Sequence, residues 1–299
     1  MKTHDIHSHR PAVSLIAAAA LLAVTAPVIA QTVVADFTGG TGTDSASHQF
    51  AGKAGDGWSG AWGTAIFGTG TTVGAAIGAG DWLDITATAG GAATRRTSLY
   101  RKYESGSTGI IDTTKAYSIS FSIRFDDLTG FTAATDYIGI FDSSVTITNS
   151  VANANESWNI QITGDNKEIR LANGNKNGSS TYISSGITIE TGKTYSFTIN
   201  LNPANREWTA SIISSSGATW SSDSALGFRA SATDLGTAGR TLHFNTLQDA
   251  TGDLWKYSLS GITISQTQIP EPRTAAFLGG LGAFIIATAI TRLRSDAKR

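Results

Sequence analysis

The chain has 299 residues, a formal net charge of -1 and only 15% charged side chains, so it carries no basic excess of the kind that nucleic acid demands. It contains no cysteine, which excludes disulfides, thiolate metal sites and cysteine nucleophiles together. Gly, Ser, Thr, Ala and Asn dominate, the composition of many short strands joined by polar turns.

Residues 1 to 30 read as a secretory signal peptide, with Lys2 and Arg10 in a polar start, an apolar run from Ala12 to Val24, and Ala26-Pro27-Val28-Ile29-Ala30 as the exit. Val28 and Ala30 place cleavage between Ala30 and Gln31. His4, His7 and His9 fall in this leader, so they cannot form a metal site in a processed protein.

From Thr32 the pattern turns to strands. Val33, Val34 and Phe37 make a short first one, ended at Gly39-Gly40, and residues 51 to 93 are Gly-rich with Trp58, Trp62, Phe67, Trp82 and Leu83 spaced among them. The clearest strand is 117 to 125, where Tyr117, Ile119, Phe121, Ile123 and Phe125 share one face and Ser118, Ser120, Ser122 and Arg124 the other. Alternation recurs at Trp158, Ile160 and Ile162, at Tyr195, Phe197, Ile199 and Leu201, and at Trp208, Ala210 and Ile212. Strands that bury one face only belong to antiparallel sheets packed face to face, not to a parallel sheet covered by helices.

Gly164-Asp165-Asn166 and Asn202-Pro203-Ala204-Asn205 are hairpin connections in type. In the last strand the inward parity passes from Trp255, Tyr257 and Leu259 to Ile262 and Ile264, which predicts a β-bulge at Ser260-Gly261. No helical period of useful length appears between residues 31 and 268. These residues make one all-β, antiparallel two-sheet sandwich.

After it, Pro270-Glu271-Pro272 leads into an uncharged apolar run, residues 274 to 291, of about the length that crosses a bilayer as one helix. Arg292, Arg294, Lys298 and Arg299 follow, and such a basic cluster stays cytoplasmic. The sandwich is then exported and anchored at the inner membrane, with the secretion machinery and the membrane as its first partners.

The triplet, apolar segment and Arg-rich end, in that order over residues 269 to 299, resemble the PEP-CTERM sorting signal. That resemblance implies recognition of Pro270, Glu271 and Pro272 by an exosortase, a membrane protease-transpeptidase of bacteria that make extracellular polysaccharide. It also implies release to the periplasm, cell surface or exterior. Residues 32 to 266 resemble concanavalin-like (LamG-like) jelly rolls, through the hairpin Tyr195 to Leu201 with Trp208 to Ile212 and the closing strand Leu259-Ser260-Gly261-Ile262-Thr263-Ile264.

Jelly-roll glycoside hydrolases carry Glu-x-Asp-x-x-Glu on one strand, because retaining hydrolysis needs two carboxylates close together. Here Glu104, Glu156, Glu168, Glu190 and Glu207 stand singly. A serine triad needs a histidine base. The sandwich offers His48 and His243, and His243, between Leu242 and Phe244, falls on the polar face of its strand with no nucleophile elbow nearby.

Asp126, Asp127, Asp136 and Asp142 bracket a Gly-containing loop and are the oxygen ligands that calcium takes, although aspartates in such places also cap turns. Of seven tryptophans, Trp158, Trp208 and Trp255 are in phase with inward aliphatics, whereas Trp58, Trp62 and Trp220 sit among Gly and Ser as candidates for an exposed sugar-stacking platform. The reading is a non-catalytic binding or structural sandwich of the envelope or extracellular matrix, with polysaccharide as its ligand. The alternative is a divergent polysaccharide hydrolase or lyase of the same fold.

Overall fold

The computed structural model describes residues 30–35, 37, 58, 62–91, 95–104, 111–144, 155–230 and 240–267. The sorting triplet Pro270, Glu271 and Pro272, the apolar run after it, the basic residues Arg292, Arg294, Lys298 and Arg299, and the leader before Ala30 lie outside these residues. Among the described residues no helix is long and apolar enough to cross a membrane. Gln31–Gln266 is one compact unit.

Among the described residues sixteen strands build it. They begin with β1 (Ala30–Ala35), β2 (Trp62–Phe67), β3 (Thr72–Gly78), β4 (Trp82–Thr88), β5 (Arg95–Glu104) and β6 (Tyr117–Asp127). Next come β7 (Tyr137–Ser143), β8 (Glu156–Thr163), β9 (Glu168–Gly174), β10 (Ser180–Thr188) and β11 (Thr194–Asn202). The chain closes with β12 (Glu207–Ser214), β13 (Thr219–Ser221), β14 (Leu226–Gly227), β15 (Arg240–Gln248) and β16 (Leu254–Thr267). β1 opens at Ala30 and Gln31, the expected cleavage junction.

One sheet runs β13-β12-β11-β6-β16-β4-β3, with β1 on β16 and β14 on β12; the other runs β10-β9-β8-β7-β15-β5-β2. Every strand pair whose register is resolved is antiparallel. The expected two-sheet sandwich is therefore the fold.

Period-two burial explains the nine-stranded sheet. β6 and β11 alternate buried and outward positions along their whole length, and in β12 Trp208, Ala210 and Ile212 point inward. Outward, Ser120 stands opposite Thr198 on β11 and Thr263 on β16, and Thr198 opposite Ser211 on β12, so one row of hydroxyls crosses four strands. The change of parity in β16 is a bulge: Ser260 faces Ser122 but Thr263 faces Ser120, and Gly261 takes a φ of 61° that an L side chain resists.

The seven-stranded sheet departs from the expected single buried face. β7, β8 and β15 are buried on both sides nearly throughout. Their inward residues, among them Ile138, Ile140, Trp158, Ile160, Leu242 and Phe244, make half of the core. Phe121 stacks on Phe197 at 5.0 Å within its own sheet and meets Phe244 edge-on at 5.7 Å across the sandwich, and Trp158 lies 6.2 Å from Trp208. Burying each such aromatic contributes about 1.5–3 kcal/mol.

A charged pair is sealed into this core. Asp142 of β7 and Arg240 of β15 are 0% and 1% exposed. Arg240 Nε donates to Asp142 Oδ2 at 3.0 Å, as does the Tyr103 hydroxyl at 3.1 Å, while the Ser157 amide donates to Oδ1 at 3.0 Å. Burial and the nearby Asp142 carboxylate push the Tyr117 hydroxyl, bonded to Tyr103, well above the usual phenol range. A carboxylate buried this deeply persists only because every contact is a donor. Replacing Asp142 by Ala strands the Arg240 charge, and denaturant unfolding of Asp142→Ala should show a loss of about 3–5 kcal/mol.

Candidate functional site

The outer face of the seven-stranded sheet holds the densest group of functional side chains among the described residues. Register places them together. His243 on β15 stands opposite Tyr100 on β5 and Phe141 on β7, and Asn245 stands opposite Ser98 and Gly139. Phe141 is opposite Asn159 and Gly139 opposite Gln161 on β8, and Gln161 is in turn opposite Arg170 on β9. Tyr182 of β10 lies at the far edge beside Ala172, and Arg96 and Tyr137 flank Leu247 one step along.

His243 is fully buried on this face, where its ring stacks on Phe141 at 5.0 Å and lies 5.5 Å from Tyr100, with Nδ1 3.3 Å from the Ser98 hydroxyl. Its place on the polar side of β15 matches the alternation, but it is a floor residue and not a surface one. Asn245, also 0% exposed, donates from Nδ2 to the Tyr137 hydroxyl at 3.0 Å, which leaves its Oδ1 with no partner. Asn159 donates to Glu156 at 2.8 Å, and its Oδ1 likewise has none. Both carbonyl oxygens lie beneath the surface, each amide oriented through its NH2 group.

Two glycines shape the face by lacking side chains. A Cβ on Gly63 would lie 2.6 Å from the Tyr100 ring, so the glycine lets that ring lie across β2. A Cβ on Gly139 would meet Tyr137 at 3.3 Å and Phe141 at 3.7 Å, so it keeps a notch open between two rings. Near Tyr182 the β9–β10 hairpin forms a shallow, open depression of about 320 Å³ lined by Asn173, Gly174, Asn175, Ser179, Ser180 and Thr181.

The acids here are already engaged. Glu156, 2% exposed, takes Arg229 Nη1 at 2.5 Å as well as Asn159; burial pushes its carboxyl up to about 7, opposed by the Arg229 charge and the Asn159 hydrogen bond. Glu168 accepts from the Ser184 hydroxyl and from the Gly186 amide at 2.9 Å, closing the irregular end of β10. Arg170 lies over the Tyr182 ring at 5.3 Å and reaches Gln161 Oε1 at 3.4 Å.

The tryptophan platform is corrected. Trp62 is 2% exposed and packs between Trp58 at 6.1 Å and Phe244 at 6.5 Å, because its position on β2 is in phase with inward residues. Trp58 donates from Nε1 to Val34 O at 2.9 Å and lies under the Arg101 guanidinium at 4.6 Å, while Trp220 pairs with inward-facing Ile212; both are half-buried against the core. The irregular Gly- and Ser-rich sequence around them hid that phase.

The aspartates do not gather around a cation. Asp142 is spent on Arg240. Asp136 accepts from the Thr132, Ala133 and Asp249 amides, Asp127 from the Thr129 amide, and Asp126 from Arg124 and Ser258 on the outer face of the other sheet. Among the described residues no three acids or histidines are placed to hold a metal ion. Turn capping and ion pairing account for all four.

Sequence reasoning reached His243 and missed the rest of this face. The polar alternation of Arg96, Ser98 and Tyr100, of Asn159 and Gln161, and of His243 and Asn245 was the available signal.

No protein-family model matches the sequence, and no curated protein matches it. Among solved structures the chain is similar to lectin II from Ulex europaeus, at 10% identity and a TM-score of 0.49 over 80% of this chain and 98% of that one. It is similar also to a Lotus tetragonolobus seed lectin, at 9% and 0.48 over 81% and 100%. A third is the alginate lyase from Klebsiella pneumoniae, at 11% and 0.44 over 65% and 84%.

Because Glu156 holds its proton more tightly when folded than its ordinary 4.5, the stability it contributes is complete below about 4.5 and is lost as pH rises through about 7. Denaturant midpoints measured across that window should fall with rising pH in the native chain, and Glu156→Gln should flatten that part of the slope.

Proposed function

We propose that this chain is an exported bacterial envelope or extracellular-matrix protein, sorted by an exosortase through Pro270-Glu271-Pro272, whose sandwich binds polysaccharide without turning it over. The observation that carries the binding role is the outer face of the seven-stranded sheet, where the rings of Tyr100, Tyr137 and Tyr182 and the amide of Gln161 reach the surface over a buried floor of Phe141, Asn159, His243 and Asn245. Sugars need both kinds of group, because the apolar face of a pyranose stacks on a ring while its hydroxyls exchange hydrogen bonds with amides. The engaged states of Glu156 and Glu168 favour binding over hydrolysis, which requires two carboxylates free to act on one bond.

A glycan array probed with the full chain in detergent tests this. Binding should weaken about fivefold with Tyr182→Ala and with Gln161→Ala, a loss of roughly 1 kcal/mol each, and stay unchanged with Thr198→Ala on the opposite sheet. No binding to any glycan would overturn the binding role, and release of reducing ends or unsaturated sugars would overturn its non-catalytic character. For sorting, intact mass after cell fractionation should show a species that starts at Gln31 and lacks the basic tail; full-length mass held in the inner membrane of an exosortase-bearing host would refute processing.

A further inference from the structure

The charge on the proposed binding face differs from that of the chain as a whole. Arg96, Lys102, Arg170 and Arg229 share it with two described carboxylates, Glu156 and Glu168, in a protein of formal net charge -1. Arg229 is consumed by Glu156. Arg96, Lys102 and Arg170 make no ion pair among the described residues. Asp165, in the turn between β8 and β9, feels the Arg170 charge but is fully exposed to water. The buried Nε atoms of Arg96 and Arg170 have no hydrogen-bond partner.

From β5 to β9 the face crosses four strand gaps, about 19 Å. Arg96 stands near one end, across Leu247 from Tyr137, and Arg170 near the other beside Tyr182, with the half-buried Gln161 next to Arg170. A ligand that suits this arrangement has anionic groups repeated along its length. Planar guanidinium groups match planar carboxylates through paired N–H donors.

We infer that the face binds an acidic polysaccharide bearing sugar carboxylates, a polyuronate, laid across the strands from β5 to β10. This rests on the polysaccharide-binding reading above. Carboxylates of the chain meet Arg96, Lys102 and Arg170, the sugar hydroxyls exchange hydrogen bonds with the half-buried Gln161 amide, and the rings of Tyr137 and Tyr182 take the sugar faces.

The test titrates the full chain in detergent with three polymers: polygalacturonate, the same polymer with its carboxyl groups reduced to alcohols, and dextran sulfate. Polygalacturonate should bind, with affinity falling as salt rises, and carboxyl reduction should weaken binding by tenfold or more. Arg96→Gln and Arg170→Gln should each cost about tenfold with an unchanged near-UV circular dichroism spectrum, while Lys256→Gln on the opposite sheet costs nothing. Equal affinity for the carboxyl-reduced polymer would overturn the acidic ligand and leave sugar binding standing. Equal affinity for dextran sulfate would show a general anion site and overturn the carboxylate assignment. Failure to bind any polymer would overturn both readings.

Discussion

The interior between the two sheets is the constraint on which everything else depends. Phe121 and Phe197 from one sheet meet Phe244 from the other, and Trp158 meets Trp208, so neither sheet can slide by one residue without turning its aromatics into water. A register fixed on the inward face is fixed equally on the outward face, because successive side chains of a strand alternate. The outer rows therefore inherit the precision of the core.

That inheritance has different results on the two sheets. On the nine-stranded sheet it produces rows of serine and threonine, with Ser122 and Ser196 within 2.9 Å and Ser118 and Ser265 within 2.8 Å of each other, and little that could select a ligand. On the seven-stranded sheet it aligns His243 with Tyr100 and Phe141, and Asn245 with Gly139. The glycines at 63 and 139 contribute only by what they lack, a Cβ that would strike the ring beside each of them.

Buried charge marks where the sandwich gives up some stability for order. Asp142 with Arg240, and Glu156 with Arg229, place their acids at the bulged pairing of β7 and β8, where Phe141 faces Asn159 but Ser143 faces Glu156. The first pair faces the core and the second the outer face. Each acid also takes donors from neighbours, Tyr103 and Ser157 for Asp142 and Asn159 for Glu156, which is what makes such a pair tolerable in a dry site. Glu156 thereby orients Asn159.

Alternating sequence determined the antiparallel strands, the hairpins, the inward Trp158, Trp208 and Trp255, and the bulge at Gly261, because a period of two, a turn residue and a change of parity are local facts. The arginine-ended apolar tail is equally local in character, and the sorting role proposed for it rests on sequence alone. Tertiary structure decided that Trp62 is core, that the four aspartates stand apart in turn caps and ion pairs, and that β5, β7, β8 and β15 bring their polar residues to one face. Those outcomes depend on which strands become neighbours. β5 meets β15 across more than a hundred residues of chain, and no local pattern encodes that choice.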